Sequence, residues 1–313
     1  MNEPLISIVV LNYKRLQELK ACLASLVRQD YPNIETIIVD NHSEEDVAGV
    51  IPANAPFPIR LIELPANMGC CGGRNAGLRV AQGEFIITLD NDVSFASPQE
   101  VRRVAEAFAE HRDIQVLAFR ICDVATGKLR VREWCHPRDW TRFSETEFET
   151  NFFGEGASAY RRGIFDEVGL YWEPLFIGHE GHDLALRIIN GGSRVLYCPR
   201  ISVLHSMSPD ARPHDRPFYF YTRNYIWIAY KDYRFVAGIR YLLPKLLMMF
   251  LFSLRARRLR RFLEGVRDGV AGLRQILERT PMSRQANGYV RELEKGRPAW
   301  IQRLRRHQIE SQL

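Results

Sequence analysis

Phe85-Ile86-Ile87-Thr88-Leu89-Asp90-Asn91-Asp92 reads as a buried strand that runs into two carboxylates separated by one asparagine. An unbroken apolar run of this length belongs inside a sheet covered on both faces, where strands lose their polar alternation. Acids at its C-terminal end lie where open α/β sheets bind ligands. Two close carboxylates repel, and a hard divalent cation with open positions for substrate phosphates is the natural compensation. A polar turn closing a strand is the plainer account of the same three residues.

The segments around this strand build an α/β order. Residues 5–11 are apolar and read as a first strand, and 14–28 place Leu16, Leu19, Cys22, Leu23 and Leu26 at helical spacing. Strands are expected over 35–39, ending at Asp40, and over 59–64. Strand–helix–strand order implies parallel pairing with right-handed crossovers. Residues 67–77 are glycine-rich and precede a short apolar helix, so free amides there favour a phosphate, with Arg74 adding charge. Ser97-Pro98-Gln99-Glu100 has the form of a capping box and predicts a helix to His111. A strand is expected over 114–121 and a hairpin turn at 125–128. Residues 133–153 read as loop, and a short helix is expected over 163–168. Glu180 and Asp183 open another helix on one face, ended by Gly191-Gly192. Two late strands, 194–198 and 201–204, lead to His205.

The chain has 313 residues, 46% of them hydrophobic, enough for one large or two modest domains with a real core. Its net charge of +6 is concentrated in 255–261 and in the tail around 303–307, which points to an anionic partner. No recognised nucleic-acid module accompanies those charges, so nucleic acid is not expected. The six cysteines show neither zinc spacing nor a C-x-x-C pair, consistent with reduced cytosolic thiols, and no signal peptide is expected. The apolar run 241–254 is interrupted by Pro244 and Lys245 and falls short of a span, so with the arginines after it an interfacial membrane helix over 241–261 is expected. A helix packed on the catalytic domain or on a second copy is the alternative. Residues 262–313 read as helical and charged.

Taken together, the opening strand with Asn12-Tyr13, Ile38 to Ser43, Asn67 to Gly77, Leu89 to Asp92, and Glu180 to Arg187 occur in an order that resembles the family 2 glycosyltransferases. Tyr221-Thr222-Arg223-Asn224 resembles a segment of the rhamnosyltransferase-like group. The resemblance covers roughly residues 5–230. It implies an α/β fold of the nucleotide-diphospho-sugar transferase type: a GT-A, Rossmann-like mixed sheet flanked by helices, with a C-terminal helical segment. A catalytic domain is expected over 1–235, with a donor-binding half to about 120 and an acceptor-binding half after it, followed by a basic helical segment over 236–313.

The implied activity is inverting transfer of a sugar from a UDP- or dTDP-type donor to a glycan or lipid-linked acceptor in surface-polysaccharide synthesis, on the cytoplasmic face of the membrane. The oligomeric state stays open. Donor contacts fall on Asn12, Asp40, Asn67, Gly73, Arg74, Asp90 and Asn91, and Mn²⁺ or Mg²⁺ on Asp90, Asp92 and His205. Acceptor contacts fall on Trp134, Glu155, Trp172 and His182. In the family pattern Glu-Asp-x-Asp the aspartate after the glutamate serves as base, but this chain has Glu180-Gly181-His182-Asp183. The base therefore falls to Glu180, with Asp183 second. A catalytically impaired sugar-nucleotide or glycan-binding protein and a nucleotidyltransferase are the competing classes.

Overall fold

The computed structural model describes residues 3–206 and 215–296. Nine strands form one mixed sheet: β1 (Ile6–Asn12), β2 (Ile34–Asp40), β3 (Ile59–Glu63), β4 (Phe85–Asp90), β5 (Val93–Phe95), β6 (Ile114–Asp123), β7 (Phe148–Glu149), β8 (Ala157–Arg161) and β9 (Arg194–His205). The order across the sheet is β3-β2-β1-β4-β8-β6-β9-β5, with β7 added on β9. The first four strands are parallel, and β8 enters antiparallel between β4 and β6.

The helices are α1 (Leu16–Val27), α2 (Gly69–Leu78), α3 (Glu100–Glu110), α4 (Trp140–Phe143), α5 (Ile164–Val168), α6 (Glu180–Asn190), α7 (Arg216–Asp232), α8 (Phe235–Arg255), α9 (Leu259–Gly272) and α10 (Arg284–Glu294). Alternate residues of the central strands feed two cores. Ile6, Ile8, Val10, Ile87 and Leu89 face Leu19, Leu23 and Leu26 of α1 with Val101, Val104 and Phe108 of α3. Val9, Leu11, Ile37, Val39 and Ile86 face Cys71 and Leu78 of α2 with Leu184 and Ile188 of α6. Burial on both sides is why β1 carries no polar alternation.

Several local expectations shift. The glycine-rich stretch does not precede its helix but forms its first turns, because a Cβ on Gly73 would run into Leu11 of β1 and glycine lets the helix lie close on the sheet. The capping contact of Ser97 is a hydrogen bond from its hydroxyl to Glu100, and α3 begins at Glu100 itself. The two late strands are one, β9, with a register shift beside Pro199, which has no N–H to give to a ladder.

No break in packing occurs near residue 235. Met282, Ala286, Val290 and Leu293 belong to the α2/α6 core. Helix α9 lies on α7 through Gly265, Gly269 and Gly272, where a Cβ would stand 2.6–2.7 Å from Tyr219, Ile226 and Trp227 respectively. The basic tail at 303–307 lies outside the described residues.

Candidate active site

Strand order reverses between β1 and β4: the chain builds outward to β2 and β3, then returns to the other side of β1. The crevice beyond the strand ends at such a point is where open α/β sheets bind ligands. Register brings polar residues together there, pairing Asn12 with Asp40 and Leu11 with Asp90. Asn91 donates to Asn12 Oδ1 at 2.8 Å and to the Lys14 carbonyl at 2.7 Å, and Asn12 donates to Asp40 Oδ1 at 2.8 Å. The Ser43 hydroxyl and amide also donate to Asp40. One hydrogen-bonded line thus ties the ends of three strands together, with Asp40 as its acceptor end.

Antiparallel pairing of β5 with β9 sets Val93 opposite His205. His205 Nε2 therefore stands 3.3 Å from Asp92 Oδ2, and its Nδ1 lies 2.8 Å from both carboxylate oxygens of Glu133. Arg15, in a left-handed conformation (φ 63°), reaches the same Asp92 oxygen at 2.6 Å. Burial alone would lower the His205 pKa, but hydrogen bonds and charge from Asp92 and Glu133 raise it to about 9. The expected three-ligand set is only partly assembled. Asp92 and His205 meet, while Asp90 turns to Arg74, and no group of three acidic, histidine or cysteine side chains poised for a metal occurs among the described residues.

The pair nevertheless suits a divalent cation. His205 Nε2 is buried and faces Asp92 at 3.3 Å with no other partner among the described residues, and a carboxylate orients the ring from the opposite nitrogen, as the outer partners of metal-bound histidines do. Glu133 in that role was not legible in the sequence.

Arg74 is almost wholly buried, 2% exposed. Its Nη2 lies 2.5 Å from Asp90 Oδ1 and its Nη1 3.5 Å from Glu180 Oε1. Nε and Nη1 make no hydrogen bond among the described residues, leaving two cationic donors in the crevice. The α2 amides expected to face a phosphate are taken instead: Cys70 and Cys71 donate to the Phe176 carbonyl, and Gly69 to Asn67 Oδ1. Asn67 in turn accepts from Asn41.

Antiparallel pairing of β4 with β8 brings Glu155 and Gly156 to the same place, with Asp90 N–H donating to the Gly156 carbonyl. A Cβ at Gly156 would collide with the Asp90 carboxylate. Across from them, Gly181 N–H donates to Glu155 Oε1. Burial raises the pKa of Glu155, and burial together with Glu155 raises Glu180 to about 8.

The loop before α6 is held by the Tyr-x-x-Arg-Asn segment. Asn224 donates to the carbonyls of Leu175, Ile177 and Gly178 at 3.1, 2.9 and 2.7 Å. Arg223 Nη2 donates to Pro174 and Leu175. Those clamps hold a loop in which Phe176, Gly178 and His179 all have positive φ, a cost that only an over-determined surrounding sustains.

Asp183 does not reach the crevice. It is fully buried between Arg187, 2.8 Å from Oδ2, and Lys231, 2.7 Å from Oδ1. Against the penalty of burial, these two cations hold its carboxyl well below the usual range. The expectation of Asp183 as second base is corrected: it is an internal ion-pair anchor. His182 is likewise interior, stacked on Tyr241 with Nδ1 at 3.3 Å from the Asn151 carbonyl. Trp134 packs edge-on against Tyr197 and His136, and Trp172 against Trp227 under Lys231, so both rings already serve the protein's own packing.

This sheet, with acids at the reversal of strand order and helices on both faces, has the GT-A architecture. A family model, glycosyl transferase family 2, matches residues 7–169; the chain belongs to that family and is a glycosyltransferase. Among its relatives, the uncharacterized glycosyltransferase YwdF of Bacillus subtilis is 28% identical over 65% of this chain and 74% of its own. An uncharacterized glycosyltransferase of Haemophilus influenzae is 34% identical over 36% of this chain, and the match spans only 37% of that relative. The succinoglycan biosynthesis protein ExoO of Rhizobium meliloti is 31% identical over 33% of this chain and 29% of its own. In fold the chain is similar to Staphylococcus aureus TarS 1-349 in complex with UDP-GlcNAc (TM-score 0.61, 16% identity, 93% of this chain and 88% of that one). It is similar too to the Pyrobaculum calidifontis mannosyltransferase PcManGT in complex with GDP-Man and Mn²⁺ (TM-score 0.58, 14% identity, 94% and 85%).

Proposed function

We propose that the chain transfers a sugar, with inversion, from a UDP- or dTDP-type nucleotide donor to a hydroxyl of a glycan or lipid-linked acceptor in cell-surface polysaccharide synthesis. The observation that carries this reading is the convergence of the Asp40–Asn12–Asn91 line with Asp92, His205 and Arg74 at the reversal of strand order. The succinoglycan role in ExoO's name supports the polysaccharide setting, and the nucleotide sugars in complex with TarS and PcManGT support the donor class.

In this reading Asp40 faces the nucleoside, and Arg74 offers the anionic donor its Nε and Nη1, which make no hydrogen bond among the described residues. Asp92 and His205 hold a Mn²⁺ or Mg²⁺ ion, with Glu133 orienting the histidine. The ion when bound withdraws charge from the diphosphate leaving group. A carboxylate of the Glu155/Glu180 pair accepts the proton of the attacking hydroxyl.

The acceptor side extends toward a membrane. Helix α8 is 21 residues long and is the one helix among those described that is long and apolar enough to cross a bilayer, with only 11% of that stretch buried. It is longer than the sequence pattern implied, because Pro244 is accommodated inside it. Val236, Ile239, Leu243, Leu247, Leu251 and Leu254 are exposed at three- and four-residue spacing, forming one apolar stripe, while Gly238, Met249 and Ser253 face inward. Five exposed arginines follow between 255 and 261. A one-sided stripe beside a basic cluster lies in the interface of an anionic bilayer instead of crossing it. In this reading the enzyme lies peripherally on the inner face of the membrane.

The test is a thermal-shift panel of UDP-, dTDP- and GDP-sugars, each with and without Mn²⁺. A ligand that binds only the folded state must raise the melting temperature. A Mn²⁺-dependent rise with one nucleotide supports the reading and names the donor class; no rise with any of them refutes it.

A further inference from the structure

Glu155 and Glu180 approach one crevice from different elements, one just before β8 and the other at the first turn of α6. They differ in access. Glu180 is 4% exposed, faces Arg74, and has an Oε2 without a hydrogen-bond partner among the described residues. Glu155 is half-buried, lies beside the glycine that abuts Asp90, and has its Oε1 fixed by the Gly181 amide. Gly181 is what admits that carboxylate. A Cβ there would stand 2.5 Å from Glu155 Oε1 and 2.6 Å from the Phe153 carbonyl.

We propose that Glu155 is the catalytic base of the transfer, its carboxylate occupying the space that a side chain at position 181 would otherwise fill. The proposal rests on the transferase reading and deepens it. The acceptor oxygen forms its bond to the anomeric carbon as Glu155 takes the hydroxyl proton. The bond from that carbon to the phosphate oxygen breaks, and its electron pair leaves with the nucleoside diphosphate. The proton ends on Glu155 and passes to solvent.

Charge favours this division of labour. Among the described residues Arg74 is the cation placed against the pair, and one cation sustains two adjacent carboxylates poorly. The Gly181 N–H stabilises the ionised form of Glu155. Burial raises the pKa of both carboxyls and Glu155 adds to the rise at Glu180, so the pair holds a shared proton, and the amide hydrogen bond that only Glu155 receives from Gly181 favours the negative charge there. The base and the glycine then form an exchangeable unit: a carboxylate from position 155 with glycine at 181, or one from position 181 with a small residue at 155.

The experiment measures, for each variant, the donor-induced melting shift and the nucleoside-diphosphate release from the nucleotide sugar that shifts the wild-type protein in Mn²⁺. Glu155→Gln is expected to keep the melting shift and to lose release by 100-fold or more, within the range that general-base removal produces. Glu180→Gln is expected to lose at least tenfold less release than Glu155→Gln. Glu155→Gly is expected to be as slow as Glu155→Gln, and adding Gly181→Asp to it is expected to recover at least tenfold. Release within fivefold of wild type in Glu155→Gln, with the shift intact, would overturn the proposal alone. So would a 100-fold loss confined to Glu180→Gln, or a Glu155→Gly/Gly181→Asp protein no faster than Glu155→Gly. A wild-type protein with no metal-dependent donor shift would instead overturn the transferase reading, and this proposal with it.

Discussion

Glu133 holds His205 Nδ1 between its two carboxylate oxygens, each 2.8 Å away, and so aims Nε2 at Asp92. Such partners fix ring orientation and ligand basicity, and their loss costs about 10–100-fold in metal affinity. Glu133→Gln is therefore expected to weaken Mn²⁺ binding by that factor in titration calorimetry, while Asp92→Ala removes the metal-dependent donor shift altogether. Unchanged Mn²⁺ affinity in Glu133→Gln would take His205 out of the metal site.

Glu180 titrates near 8 in the folded protein, far above the roughly 4.3 of an exposed glutamate. The folded state therefore keeps a proton that the unfolded chain releases, and the stability this gives is full below about pH 4 and is lost as pH rises through 8. Glu180→Gln cannot ionise. Its melting temperature is expected to match wild type near pH 4 and to exceed it by a margin that widens up to about pH 8 and then levels off. A constant margin across that range would place the titrating group elsewhere.

Asp183 has the opposite sign. Arg187 and Lys231 depress its pKa, so its contribution is present above the unfolded value and disappears as pH falls through the folded one. Removing one partner from a buried ion-pair cluster costs about 3–5 kcal/mol. Asp183→Asn is expected to lose that much in denaturant unfolding at pH 7, with the gap narrowing below about pH 4, and to show a normal donor shift once folded at low temperature. A variant as stable as wild type would mean that Lys231 and Arg187 find other partners.

The exposed stripe of α8 predicts lipid binding that needs both apolar area and basic charge. Wild-type protein is expected to sediment with vesicles containing phosphatidylserine, less so as salt rises, and weakly with neutral vesicles. Leu243→Ser with Leu247→Ser and Leu254→Ser should release it without altering the melting temperature, because these side chains are 61%, 52% and 46% exposed. Sedimentation unchanged by the triple substitution would refute the membrane assignment. Point changes are preferable to truncation, since Val290 and Leu293 of α10 belong to the central core.

Much of this was readable from the chain because it rests on local pattern. The apolar runs of β1 and β4 and the helical spacing of α1 fixed the parallel half of the sheet. Asp40, Asp90 and Asp92 stood out because each follows such a run. What escaped depends on pairing between distant segments. Antiparallel β8 and β9 bring Glu155 and His205 to the strand ends, but nothing near residues 155 or 205 announces their partners. The roles of Glu133, of Arg15 on Asp92 and of Lys231 on Asp183 are contacts across more than 45 residues of sequence. The aromatic residues misled for a related reason: a tryptophan suited to stacking on a sugar is equally suited to stacking on its neighbours, as Trp134 and Trp172 do.

Arg223 and Asn224 bind five carbonyl contacts of residues 174–178 from a helix that also carries α8 and α9 on its back. The strut that sets the posture of Glu180 and Gly181 is thus the same one that the exposed apolar helix α8 leans on. Tilting or sliding α7 by a fraction of an ångström would slacken several of those bonds together and let the left-handed residues Phe176 and His179 relax. On the membrane reading proposed above, anchorage and chemistry share a single mechanical joint, and turnover is expected to register the surface on which the enzyme rests.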